Sequence, residues 1–160
     1  MSTINARDLW IKILASRVET GEPYVLFTGN AQKNKSKVYT ELEEKYNQKV
    51  KTSNLCIEVM LHTGFDHLQK ERTAVCCLSS LNLEYFDEWK NNELFIEDVA
   101  RFLDNVLQDF IDRAPDAMER AKYSAMRERS IGIGVMGFHS FLQSKKTPFE
   151  SVAAKSWNKA

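Results

Sequence analysis

Asn54, Cys56 and Glu58 stand at positions i, i+2 and i+4 of the run Ser53 to Leu61. In an extended segment alternate side chains share a face. An amide, a thiol and a carboxylate would then point one way, with Leu55, Ile57, Val59 and Leu61 turned the other way into a core. A thiol flanked in this manner suits a hydroxylated substrate: the amide orients it, the carboxylate takes a proton, and the sulfur reacts. The plainer account is a buried strand carrying a small apolar cysteine, since free Cys is among the most buried residue types.

A second thiol-bearing run follows, Thr73 to Leu83, with Cys76 and Cys77 adjacent. Together, SNLCIE (53–58) and TAVCCLSSLNL (73–83) resemble the catalytic large subunit of class I ribonucleotide reductase. RDLWIKILASRVETGEPYVLF (7–27) and RERSIGIGVMGFHSFLQ (127–143) are similar to the same family, in the same order. The resemblance covers nearly the whole chain, and several motifs in register are more specific than any one of them.

The resemblance implies an α/β fold: a section of the ten-stranded α/β barrel of ribonucleotide reductases, helix-rich in its second half. Residues 1–160 would form one partial catalytic barrel domain, with a finger-loop strand at about 53–61 and a helical part at about 94–129. It implies loss of the ribose 2′-hydroxyl by radical chemistry, turning a ribonucleoside diphosphate into its deoxy form. By motif, Cys56 becomes the thiyl radical that abstracts the 3′-hydrogen. Glu58 takes the 3′-hydroxyl proton as general base, Asn54 holds the ribose hydroxyls, and Ser53 joins them in contacting substrate. Cys76 is one half of the redox pair that ends as a disulfide. Cys77 is read as packing, because a bridge between adjacent cysteines strains the peptide between them.

The resemblance further implies that this chain binds no cofactor. The radical comes from a dimetal small subunit, and thioredoxin or glutaredoxin is the reductant. The other partners are the remaining segments of the large subunit. The family's second redox cysteine, its radical-relay tyrosines, most of its phosphate loop and its allosteric sites have no counterpart here. A split-gene product or a truncated piece, inactive alone, is therefore expected.

Composition sets outer bounds. The formal net charge is +0 over 160 residues, which leaves no electrostatic footprint for nucleic acid or an anionic membrane. No apolar run approaches the roughly 20 residues of a membrane-spanning helix. The first residues do not read as a signal peptide. Three cysteines without a Cys-x-x-Cys pair fit a reducing cytoplasm.

The elements that must position these groups can be read in turn. Asn5 or Thr3 caps a helix with Asp8 in its first turn, and Trp10, Ile13, Leu14 and Arg17 lie along one face before Gly21 ends it. Tyr24 to Phe27 reads as a short buried strand, and Ala31 to Lys37 as a solvated lysine-rich loop. A short helix with Tyr39, Leu42, Glu43 and Tyr46 is expected between Val38 and Val50, then turns from His62 to Arg72, then a strand beginning near Ala74. The clearest helix runs Leu94 to Ile111, with a core stripe of Phe95, Val99, Phe102, Leu103, Val106 and Phe110. Pro115 suits the start of the next helix, which carries Met118, Ala121, Ala125 and Met126 along one side to about Arg129. Two more helices are expected, one beginning at Phe138 and one from Glu150 to Ala160 with no breaker at its end.

Gly132, Gly134 and Gly137 spell a dinucleotide fingerprint, but a helix precedes it and Glu150 comes only 13 positions after Gly137, where an acidic residue about 20 on is needed. Close packing is the better reading of those glycines. Two other functions compete. Cys56, His62, His67 and Cys76 or Cys77 could form a zinc module, although their spacings of five, four and eight residues lack a tight knuckle. A non-catalytic remnant, or a decoy that binds reductase subunits, is the other.

Overall fold

A computed structural model describes residues 3–35, 37–46 and 48–159. The side chain of Leu42, and Ala160 at the end of the expected last helix, lie outside the described residues. The chain divides into two compact units, Met1–Arg72 and Thr73–Ala160.

In the first unit, helix α1 spans Ala6–Thr20. The Asn5 side chain accepts from the Arg7 and Asp8 amides, and Gly21 closes the helix at φ 81° with its N–H on the Arg17 carbonyl. No residue of α1 is buried, and Trp10, Leu14 and Val18 are exposed. Tyr24 to Phe27 is not a buried strand. It pairs with no other strand among the described residues, and Tyr24 and Phe27 are exposed. An extended run becomes a strand only when a neighbouring strand takes its backbone groups; among the described residues none does, and the Phe27 carbonyl instead accepts from the Asn30 and Ala31 amides. The expected lysine-rich loop is also corrected. Helix α2 covers Thr28–Asn34, and Lys35 just beyond it is an ion-pair partner of Glu43 with its side chain only 7% exposed. Helix α3 spans Lys37–Tyr46.

A small antiparallel hairpin closes this unit, with β1 (Gly64–Phe65) against β2 (Glu71–Arg72). The interior is unusually polar. Gln48, Val50, His62, Asp66 and Arg72 are buried. Hydrogen bonds run through it: Gln32 Nε2 donates to the Val50 carbonyl, the His62 amide donates to Tyr39 Oη, and His62 Nδ1 lies 3.1 Å from the Lys49 carbonyl. Among the described residues, His62 Nε2 is buried with no hydrogen-bond partner.

The second unit is built on a parallel pair, β3 (Leu78–Asn82) and β4 (Gly132–Met136), in the register Leu78 to Gly132 through Asn82 to Met136. Parallel strands need a long crossover. It is supplied by a 3₁₀ turn at Leu83–Tyr85, α4 (Phe86–Trp89), α5 (Phe95–Arg113), a second 3₁₀ turn at Asp116–Met118 and α6 (Glu119–Glu128). The glycine-rich stretch is thus itself a strand. A Cβ at Gly132 would collide with the Leu78 side chain, and Gly137 turns the chain at φ 74° into α7 (Phe138–Ser144). Close packing was the right reading of both. Helix α8 (Val152–Trp157) follows, capped by Ser151.

Two apolar clusters hold this unit. Cys77, Leu103, Leu107, Ile111 and Ala125 form one, with Val75 and Phe110 against it. Phe141, Leu142 and Ala154 form the other, with Leu83, Phe86 and Phe138. The buried line of α5 is therefore Leu103, Leu107 and Ile111, while Phe102 and Val106 of the expected stripe are exposed. The helical period was correct, but the face is rotated toward residues whose spacing fits the seam with α6. Likewise Ala125 is buried on α6, whereas Met118 and Met126 are exposed. Arg129 locks the two helices. Its guanidinium donates to Asp104 Oδ1 at 2.8 Å and to Gln108 Oε1 at 2.7 Å, and this bonding holds the Asp104 carboxyl below its ordinary range. Leu107 is the test of the core: Leu107→Ala is expected to cost about 2–5 kcal/mol. Urea unfolding followed through the amides of α5 and α6 measures it, and a loss well under 1 kcal/mol would show that the cluster is not packed.

Candidate functional site

The stretch 53–61 is not a strand. Leu55, Cys56 and Ile57 form a turn closed by the Ile57 amide on the Asn54 carbonyl at 3.1 Å. The physical reason lies in Asn54. Its Oδ1 accepts from the Val59 amide at 3.2 Å, so a side chain takes a backbone donor that a ladder would have used. Ser53 Oγ lies 2.8 Å from the Val59 carbonyl and 3.2 Å from Asn54 Oδ1, tying the two ends of the loop together. Ile57 sits at φ 61°, a left-handed conformation that a β-branched residue rarely adopts. Such a residue stores roughly 1–3 kcal/mol, held here by the bonds on either side of it.

The expected shared face of Asn54, Cys56 and Glu58 is thus corrected in its mechanism. Asn54 Nδ2 donates to Glu58 Oε1 at 2.7 Å, so amide and carboxylate do meet. They meet across the base of a turn rather than by strand alternation. Cys56 occupies the turn and is exposed, as is Glu58. Leu55 is 77% exposed and does not enter a core. A thiol at the tip, with a carboxylate and an amide paired below it, is a group presented outward.

Sequence reasoning missed a neighbour of this loop. Glu22, Pro23, Tyr24 and Leu26 face Ser53, Asn54 and Ile57 across a cavity of about 290 Å³. The signal was hidden because Tyr24 to Phe27 reads as an inward strand. Of the donors weighed for zinc in this unit, His62 is buried against the Lys49 carbonyl and His67 stacks on Tyr46 with ring centroids 4.1 Å apart. Among the described residues no three His, Cys, Asp or Glu are grouped to hold a metal ion.

In the second unit Cys76 is exposed and Cys77 buried. Cys77 Sγ donates to the Leu103 carbonyl at 3.5 Å, and burial pushes its thiol pKa up, with smaller contributions from Cys76 and Asp104. The strand expected to begin near Ala74 begins at Leu78, so both thiols sit just before it. None of the three cysteines is in a disulfide.

A parallel β–helix–β crossover in the second unit, and in the first a loop with an exposed thiol and an amide–carboxylate pair, mark an α/β protein. The chain belongs to the ribonucleotide reductase barrel-domain family, whose model matches residues 1–160. It is 49% identical over 157 residues to the ribonucleoside-diphosphate reductase large subunit of Invertebrate iridescent virus 3, across 98% of this chain and 24% of that protein. It is 45% identical to a putative large subunit from Frog virus 3, across 95% of this chain and 26% of that protein. Among solved structures it is similar to the alpha subunit of the class Id ribonucleotide reductase of Actinobacillus ureae. The TM-score there is 0.74 at 42% identity, over 95% of this chain and 28% of that one. The chain spans about a quarter of the length of these curated relatives. No helix among the described residues is long and apolar enough to cross a membrane.

Proposed function

We propose that these 160 residues are a catalytic section of a ribonucleoside-diphosphate reductase large subunit, working in the cytoplasm together with the remaining segments of that subunit. The observation that carries this reading is the 2.7 Å bond between Asn54 and Glu58 beneath the exposed Cys56. It joins a carboxylate and an amide on the loop that carries the Cys56 sulfur, and chemistry at a ribose would use these functional groups as proton acceptor, hydroxyl ligand and radical carrier. Family membership over the whole chain supports it independently.

In this reading a radical-generating small subunit supplies the oxidising equivalent. Cys56 removes the 3′-hydrogen of the ribose as a thiyl radical. Glu58 accepts the proton of the 3′-hydroxyl, while Asn54 and Ser53 hold the ribose hydroxyls. The 2′-hydroxyl leaves as water. Cys76 and a second thiol, contributed by another segment of the subunit, give up two electrons and two protons and become a disulfide. Thioredoxin or glutaredoxin returns that pair to thiols. Nucleotide and ribose are held by local geometry, in keeping with the net charge of +0.

Glu58→Gln tests the assignment in an assembled large subunit. The amide keeps the bond to Asn54 and the shape of the loop but takes no proton. Deoxyribonucleotide formation is expected to fall by roughly 10²–10⁴-fold while nucleotide binding persists. Turnover near the parent rate would remove Glu58 from the chemistry.

A further inference from the structure

The reactive reading leaves Cys77 without a task, yet it is the better anchored of the adjacent pair. Its side chain lies in the cluster of Leu103, Leu107, Ile111 and Ala125, and its Sγ donates to the Leu103 carbonyl of α5. Its own carbonyl accepts from the Gly132 amide at 3.0 Å, where the β3–β4 ladder begins. Four residues earlier the Thr73 amide donates to the Arg120 carbonyl of α6 at 3.3 Å. The segment 73–77 is therefore pinned at both ends. Between the pins Val75 packs inward with Cys77, and Cys76 is exposed. Consecutive side chains of an extended segment face opposite ways, so fixing Cys77 inward fixes Cys76 outward.

We propose that Cys77 is the positioning residue of the Cys76 thiol: by anchoring to α5 it aims Cys76 out of the second unit and keeps it from pairing with its own neighbour. This deepens the redox reading of Cys76 and rests on it. Burial raises the Cys77 pKa and so keeps its sulfur a protonated donor, consistent with the bond to Leu103. One thiol is buried and the other exposed, and a disulfide cannot form when the Cβ vectors diverge. The substitution pattern follows. A Ser at position 77 retains a donor for the Leu103 carbonyl, whereas an Ala retains neither donor nor volume.

The test has two parts. On the 160-residue chain, iodoacetamide in native buffer, read by peptide mass spectrometry, should alkylate Cys76 and spare Cys77 until denaturant is added. Equal native rates at the two sulfurs would overturn the proposal. In the assembled subunit the readout is the ratio of deoxyribonucleotide to released base. A misaimed Cys76 slows the reducing step after hydrogen abstraction, and stalled substrate then decomposes.

Losing one hydrogen bond of ordinary strength shifts the population of the correct orientation by roughly three- to tenfold. Cys77→Ala should move the product ratio toward base by that factor at unchanged KM, and Cys77→Ser should restore it. Leu107→Ala, which loosens the same cluster but keeps the Cys77 thiol and its bond to the Leu103 carbonyl, should lower the melting temperature and leave the ratio alone. The proposal is overturned if Cys77→Ala leaves the ratio at the parent value, or if Leu107→Ala moves it equally, since the role is then only structural. Failure of the underlying reading looks different: Cys76→Ser itself would turn over normally.

Discussion

Cys56→Ser and Cys76→Ser, each placed in an assembled large subunit, are expected to fail in different ways. Serine is nearly isosteric with cysteine, and Cys56 is exposed at a turn held by Asn54 and Ser53 rather than by its own sulfur. The loop and nucleotide binding should therefore survive Cys56→Ser. The atom that carries the radical is gone, the 3′-hydrogen stays in place, and neither deoxynucleotide nor free base should form. Cys76→Ser leaves Cys56 able to begin. Abstraction proceeds, the second reducing thiol is missing, and the reaction stalls. Substrate then decomposes with release of base, and the enzyme is inactivated. Both variants should lose turnover by more than the 10²–10⁴-fold typical of removing general acid–base help. Base release from labelled nucleotide separates them. Release by Cys56→Ser and none by Cys76→Ser would reverse the two roles. Normal turnover in both would return all three thiols to packing.

The second large effect is structural. Asp66 and Arg72 form an ion pair with side chains 0% and 4% exposed. Arg72 Nε and Nη2 lie 3.0 and 2.9 Å from Asp66 Oδ2. Asp66 Oδ1 accepts from the Leu68 and Lys70 amides, so one carboxylate closes the β1–β2 turn and neutralises the guanidinium. Asp66→Ala leaves the Arg72 charge buried without this carboxylate. Removing one partner of such a pair costs about 3–5 kcal/mol. The first unit has little apolar core to absorb the loss, since Val50 is its one buried apolar residue among those described. Amide hydrogen exchange across 64–72 should rise accordingly. The double variant Asp66→Ala with Arg72→Leu should recover part of the loss, because the buried charge has gone with its carboxylate partner. A change below about 1 kcal/mol in the single variant would mean that water reaches the pair.

Local chemistry made much of this legible before any fold was known. Asn5 and Gly21 bound α1 because capping is decided by one side chain at one end and a missing Cβ at the other. The period of α5 was readable because nineteen residues repeat the signal. Which face of α5 is buried was not readable. Phe102 and Leu107 both fit a helical stripe, and only the contact with α6 and Cys77 selects Leu103, Leu107 and Ile111. The glycines of 132–137 announced a close approach, but not that they form a strand parallel to β3, because parallel pairing joins segments more than fifty residues apart.

The candidate site divides along the same line. The residue types of SNLCIE and TAVCCLSSLNL identified the family and nominated Asn54, Cys56, Glu58 and Cys76, since the chemistry depends on which functional groups are present. Their arrangement was decided by the tertiary structure. Alternation predicted a strand at 53–61, but Asn54 captures the Val59 amide and bends the run into a turn that lifts Cys56 outward. A period of two counts side chains and does not register a side chain competing for backbone hydrogen bonds. For the adjacent thiols the family resemblance assigned Cys76 to redox chemistry and Cys77 to packing, but the sequence supplied no surroundings to separate them. Burial against α5 makes one an anchor and leaves the other exposed, because desolvation is a property of surroundings that residues far along the chain provide.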